Sequence, residues 1–114
     1  ATWNGHEAVV RLLLRLIKED KYISSLLLCT VRNGHEAIVK LLLEKSTNIE
    51  PTDIRGQTPL LLAAEGAYQA VVKLLLEKGA DINVKNDWDQ TALSLAGERG
   101  DQAVLKLLHK YVLF

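Results

Sequence analysis

The chain has 114 residues, and 14 Lys and Arg balance 14 Asp and Glu to a formal net charge of zero. That is the length of one ordinary domain, and neutrality argues against the basic face that nucleic acid asks for and against a polybasic membrane anchor. At 48% hydrophobic and 25% charged the chain is a folder; its single cysteine forms no internal disulfide, and apolar runs such as Leu60–Ala64 fall far short of a membrane span.

The chain repeats itself. Residues 5–14 read GHEAVVRLLL, residues 34–43 GHEAIVKLLL, residues 70–76 AVVKLLL and residues 103–108 AVLKLL. The alanines that open these stretches, Ala8, Ala37, Ala70 and Ala103, are spaced by 29, 33 and 33 residues. Thr58-Pro59-Leu60 and Thr91-Ala92-Leu93 are also 33 apart. Two motifs on one clock mark a repeat architecture.

In chain order, Ala1–Asn4 aligns with Thr30–Asn33, so the chain opens at the tail of a helix whose front is missing. Between the first and second units the arithmetic 33 − 29 removes four residues, which predicts a stunted loop at Lys18–Ser24. Ser25–Val31 is predicted to be helical, although it diverges most from the other unit openings. Ser46 replaces the glycine that stops the equivalent helix one unit later, which weakens that stop. Thr58 then offers an N-cap hydroxyl and Pro59 suits the first helical position. A short helix over Pro59–Gly66 is interrupted at Gly66-Ala67. A second helix over Gln69–Lys78 carries Val71, Val72, Leu74, Leu75 and Leu76 as a wide apolar stripe. Gly79 is the expected left-handed residue beyond its end, and residues 80–87 lead out as an extended loop rich in turn formers. Each unit is therefore helix, turn, helix, long loop. The boundaries fall at a partial unit 1–17, then units at about 18–52, 53–85 and 86–114, within one domain spanning 1–114. The half unit, with no polar cap before Ala1, predicts a piece of a longer array. The apolar Tyr111–Phe114 either folds over the last helices or leaves them bare.

This pattern resembles the ankyrin repeat. The matching residues are Gly56-Gln57-Thr58-Pro59-Leu60, Ala63-Ala64, and the run Val71–Asn83. The resemblance covers nearly the whole chain. It implies an all-α solenoid of stacked antiparallel helix pairs, with β-hairpin-like loops projecting at right angles as fingers. Leu61 and Ser94 stand where the family's box has histidine, so the hydrogen bonds of that histidine to the loop are absent. Asp89 replaces the turn glycine found at Gly56, which makes that turn slightly strained or of another type.

No catalytic constellation is visible. His6-Glu7 and His35-Glu36 suggest a zinc helix, but the second histidine of that motif is Val10 or Val39. His109 aligns with Leu76 and reads as a partly exposed end residue; Cys29 aligns with Leu62 and reads as a packed thiol. The sequence contains no glycine-rich phosphate loop, nucleophile elbow or paired carboxylates. The expectation is no enzyme, no metal and no cofactor.

A solenoid of this kind recognises partners through its finger tips and the concave face of its short helices. On this register the finger tips carry Lys21 and Tyr22, then Ile54, Arg55 and Gln57, then Asp87, Trp88 and Gln90. The exposed ends of the short helices carry Arg32, Asn33, Glu65, Glu98 and Arg99. Trp88 is the sharpest case. A Trp at a loop tip between two aspartates is hard to bury, and Trp, Tyr and Arg dominate interface energies. The competing role for it is packing on the neighbouring finger through Ile54 and Arg55. The resemblance implies a protein-interaction module for a protein or peptide, with no nucleic acid and no membrane as partners and an intracellular, cytoplasmic or nuclear, location. The alternative is a structural spacer in a larger receptor-like or scaffold protein. Uncapped ends also offer apolar surface for self-association.

Overall fold

A hydroxyl opens each of the two most regular units. Thr58 holds an extended backbone and its side chain accepts from the Leu61 N–H at 3.3 Å, with Pro59 in the first turn. One repeat later Thr91 accepts from Ser94 N–H at 3.2 Å, and Ser94 Oγ accepts from Thr91 N–H at 2.9 Å. Ser94 thus closes a reciprocal capping box where the family pattern has histidine. Leu61, at the other such position, is buried in the core.

The structure, a computed structural model, describes the backbone of residues 20–45 and 49–112 and the side chains of residues 23–44 and 49–111. The described helices are α1 (Asp20–Arg32), α2 (Glu36–Lys45), α3 (Pro59–Glu65), α4 (Gln69–Glu77), α5 (Ala92–Arg99) and α6 (Gln102–Val112). No strand occurs among the described residues. The helices form two layers. The openers α1, α3 and α5 stack side by side, and their partners α2, α4 and α6 stack behind them. The core lies between the layers and between units. Leu27, Val31, Val39, Leu42, Leu60, Ala63, Ala64, Val72, Leu75 and Ala96 are all fully shielded from water. At the far side of the described stack, Leu93 and Leu105 are only half-buried, whereas their equivalents Leu60 and Val72 are fully covered.

Of the stretch Lys18–Ser24, where a stunted loop is predicted, residues 20–24 are helical, and Lys18 and Glu19 lie outside the described residues. Helix α1 is already formed at Asp20 and runs for 13 residues, against 7 in α3 and 8 in α5. The physical reason lies in the sequence. No Gly or Pro interrupts this stretch, and Ile23, Leu27 and Val31 recur every four residues to form one buried stripe. Residues 20–24 extend the helix and do not form a loop. Tyr22 is therefore a helical residue, not a finger tip; its side chain lies outside the described residues. The predicted helix over Ser25–Val31 is contained in α1. The half unit 1–17, the stop at Ser46 and the tail residues Leu113 and Phe114 lie outside the described residues.

The turn between the two helices of each unit needs one left-handed residue. Gly34, Ala67 and Gly100, each 33 apart, hold φ of 71°, 58° and 68°. Glycine takes that conformation freely, whereas a Cβ there costs about 1–2 kcal/mol. Ala67 is thus the strained member of the series. The ring of Tyr68 next to it crosses to the preceding unit and lies against the Gly34 and Gly66 backbones. Ala67→Gly should raise stability by about 0.5–1 kcal/mol, offset in part by greater freedom of the unfolded chain. Gly100→Ala, whose added methyl meets no atom within 4 Å, should lower it by about 1 kcal/mol from backbone conformation alone. Urea unfolding followed by circular dichroism measures both. A destabilised Ala67→Gly variant would contradict the assignment of strain.

Candidate functional site

Two loops project beyond the helices, one ending at Thr58 and one ending at Thr91, and each is built around a short polar side chain. In the first, Asp53 Oδ1 accepts from the backbone N–H of Arg55 at 2.8 Å and of Gln57 at 2.9 Å. In the second, Asn86 Oδ1 accepts from Trp88 N–H at 2.9 Å and from Gln90 N–H at 3.0 Å. The backbone pairings also match. Asp53 N–H donates to Gln57 C=O and Asn86 N–H to Gln90 C=O, both at 3.1 Å. These are hairpin-like turns organised by an Asx side chain. They supply the projecting fingers that the resemblance implies, without strand pairing.

The fingers are tied to each other. Asp87 N–H donates to Arg55 C=O at 3.0 Å. The Asn86 side-chain amide donates to Gln57 Oε1 at 2.8 Å and to Gln90 Oε1 at 2.9 Å, and Gln57 Nε2 donates to Glu65 Oε2 at 2.9 Å. Asn86 and Gln57 are 5% and 6% exposed, so the link between the fingers is buried and satisfied, and it runs on to the exposed Glu65 at the helix end. Nearer the finger bases, Asp81 N–H donates to Glu50 Oε1 at 3.3 Å. Burial raises the pKa of Glu50, that hydrogen bond opposes the rise, and the Asp81 charge adds to it.

Gly56 and Asp89 occupy equivalent positions and both are left-handed, with φ of 74° and 61°. A Cβ on Gly56 would stand 2.8 Å from Asp87 Oδ1 and 3.3 Å from Asp87 N, so the Asp87 side chain would have to turn aside and the second finger give slightly to admit one. At 89 the turn takes the same left-handed conformation with a side chain, and aspartate is among the residues that tolerate it.

Between the first finger and the openers lies an open cleft of about 960 Å³. Ser25, Leu28, Cys29 and Arg32 of α1 line one part of it, Leu62 and Glu65 of α3 another, Arg99 of α5 another, and Thr52–Arg55 with Gln57 the finger side. Cys29 is a free, half-buried thiol in this lining, more open than the packed position expected for it. Arg32 crosses the cleft to Asp53, with Nη2 3.0 Å from Oδ2. The carboxyl of Asp53 is under opposing influences. Desolvation pushes its pKa up, but the N–H groups of Gln57 and Arg55 and the Arg32 guanidinium outweigh it, so Asp53 titrates below its ordinary range.

The residues singled out from the sequence divide. Arg32, Ile54, Arg55, Gln57, Glu65 and Arg99 line one cleft. Asp87, Trp88 and Gln90 belong to the second finger. Ile54 is 95% and Trp88 58% exposed, and the Arg55 guanidinium carbon lies 5.8 Å from the Trp88 ring centroid. Gln57 is not an exposed finger tip. Its buried side chain is committed to Asn86 and Glu65, because a polar group taken from water at the junction of two fingers must be paired there. Gln90 is half-buried and serves Asn86. Sequence reasoning missed Asp53, Asn86 and Tyr68. The first two carried a signal: they are 33 apart, each two residues before Arg55 or Trp88 and four before Gln57 or Gln90.

Helix pairs stacked at one repeat, with hydrogen-bonded fingers along the openers, define a helical repeat array. The family model described as ankyrin repeats, in three copies, matches residues 1–86, and the chain belongs to the ankyrin repeat family. Proteins of this family are generally protein–protein interaction modules and typically carry no catalysis. No curated protein matches the chain. Among the described residues no group of three His, Cys, Asp and Glu could hold a metal ion, and no helix is long and apolar enough to cross a membrane.

The Asp53 turn has a measurable pH signature. A carboxyl whose folded pKa lies below its unfolded value of about 3.9 adds stability above that value and loses it as pH falls through the folded pKa. Asp53→Asn keeps an acceptor oxygen, as Asn86 does naturally, and should cost less than about 1 kcal/mol at pH 7 because Arg32 is largely exposed. Asp53→Ala removes the acceptor of one exposed and one partly buried N–H group and should cost about 1–2 kcal/mol. Thermal melts between pH 2 and 7 should show the acid-side loss shallower in Asp53→Asn than in the wild type.

Proposed function

We propose that this chain is a binding module that presents the 960 Å³ cleft and the Ile54–Trp88 finger tips to a protein or peptide and does no chemistry of its own. One observation carries the reading. Two large apolar side chains stand in water at the tips of neighbouring fingers whose bases are fixed by buried hydrogen bonds. A surface that is apolar, exposed and held in place loses little entropy on docking, and Trp beside Arg is the composition of interface hot spots. The contact of Arg55 with Trp88 does not bury the indole, because more than half of it remains exposed. On this reading residues 1–114 form one array, with units at about 18–52, 53–85 and 86–114.

The residues proposed to make contact are Arg32, Ile54, Arg55, Glu65, Asp87, Trp88 and Arg99, with Gln57 and Gln90 holding the fingers in register. The test is affinity capture from the source-cell lysate, with the wild type beside Arg55→Ala/Trp88→Ala and read by mass spectrometry. The double variant should keep its melting temperature within a few degrees and lose the captured partner, at about 2 kcal/mol or more for a hot spot. Identical captures from both proteins would remove the finger tips from the binding site.

A further inference from the structure

The cleft carries five formal charges, Arg32, Arg55 and Arg99 against Asp53 and Glu65. They are not equivalent. Arg32 and Asp53 neutralise each other at 3.0 Å, and Asp53 also accepts from two backbone N–H groups. Glu65 is held by the amide of Gln57. Among the described residues Arg55 and Arg99 have no carboxylate partner. Arg55 rests near the Trp88 ring, and Arg99 ends α5. Both guanidiniums are exposed at the cleft, while Leu28 and Leu62 give part of its lining an apolar character. A guanidinium presents a planar fork matched to a carboxylate, and a ring beside it limits the rotamer freedom it loses on binding.

From this charge pattern we propose that the occupant of the cleft is an acidic peptide segment, two of whose carboxylates pair with Arg55 and Arg99 while an apolar residue between them meets Leu28 and Leu62. The proposal rests on the reading of the cleft as the recognition face and names the chemistry of the partner. Two separate cations suit two side-chain carboxylates. A nucleic acid would ask for a continuous basic track, whereas this chain is neutral overall.

The test uses the whole chain and a phage-displayed library of random dodecapeptides. Three baits are panned in parallel: the wild type, Arg55→Glu/Arg99→Glu, and Ser25→Trp. The last adds bulk to the cleft lining at an exposed position without changing charge. Circular dichroism establishes that all three are folded. Peptides selected by the wild type should be enriched in Asp and Glu over the starting library and lost on the other two baits. The charge-reversed bait should select Lys and Arg instead. The best acidic peptide, labelled with fluorescein and followed by anisotropy, should bind the charge-reversed variant at least tenfold more weakly and should weaken for the wild type as NaCl rises. Wild-type binders without acidic bias, lost on Ser25→Trp but retained by the charge-reversed bait, would overturn the acidic assignment and leave the cleft as a recognition face. Binders indifferent to both variants, or the absence of any selected binder, would overturn both.

Discussion

The burial of Leu60, Ala63 and Ala64 between the openers on either side of them is the constraint on which the rest of the structure depends. A helix of 7 residues such as α3 is too short to be stable alone. It persists because α1 and α5 cover its two flanks and α4 covers its back. The small side chains at 63 and 64 let the neighbouring backbones approach, and the larger leucines fill the space between layers. Stability in such a stack is a sum over neighbours, so a unit's own sequence sets only part of it. The longer α1 follows from the same requirement. The stripe of Ile23, Leu27 and Val31 buries an added turn of helix.

The fingers depend on a second set of neighbour contacts, and these are polar. Asp53 and Asn86 each satisfy two N–H groups inside their own finger. The amide of Asn86 then reaches back to Gln57, and Gln57 reaches on to Glu65 at the end of α3. A buried amide chain of this kind tolerates little displacement, because an unpaired member would bear its full desolvation cost. The same bonds therefore tie together the two fingers that carry Ile54 and Trp88. Rigidity at the base permits apolar exposure at the tip.

The repeat, the helix starts at Thr58 and Thr91 and the left-handed Gly79 were legible because each depends on residues close together in sequence. The cleft was legible in outline, since Arg32, Ile54, Arg55, Glu65 and Arg99 were all placed on the concave side by repeat register alone. What escaped was pairing between units. Gln57 reads as a polar loop residue, and only the position of Asn86, 29 residues later, turns it into a buried connector. Tyr68 reads as one side of a helix start, and only the backbone of the preceding unit shows what its ring rests on. Lys18–Ser24 was misread for a related reason. Counting missing residues gives the length of a connection, whereas the pull of a buried stripe decides whether that length is loop or helix.

The hydrogen bonds that link the loops and helix ends of successive units join residues 21, 29, 31, 32 and 36 positions apart. That has a kinetic meaning. Among the described residues these ties close loops of about one repeat, so each unit can dock as soon as its neighbour has formed. Loop-closure entropy then stays nearly constant from step to step, because it grows only with the logarithm of loop length. Order can start at any well-formed pair of units and spread in either direction. The capped α3–α4 pair, the unit with the most complete burial of its opener, is where such growth would begin.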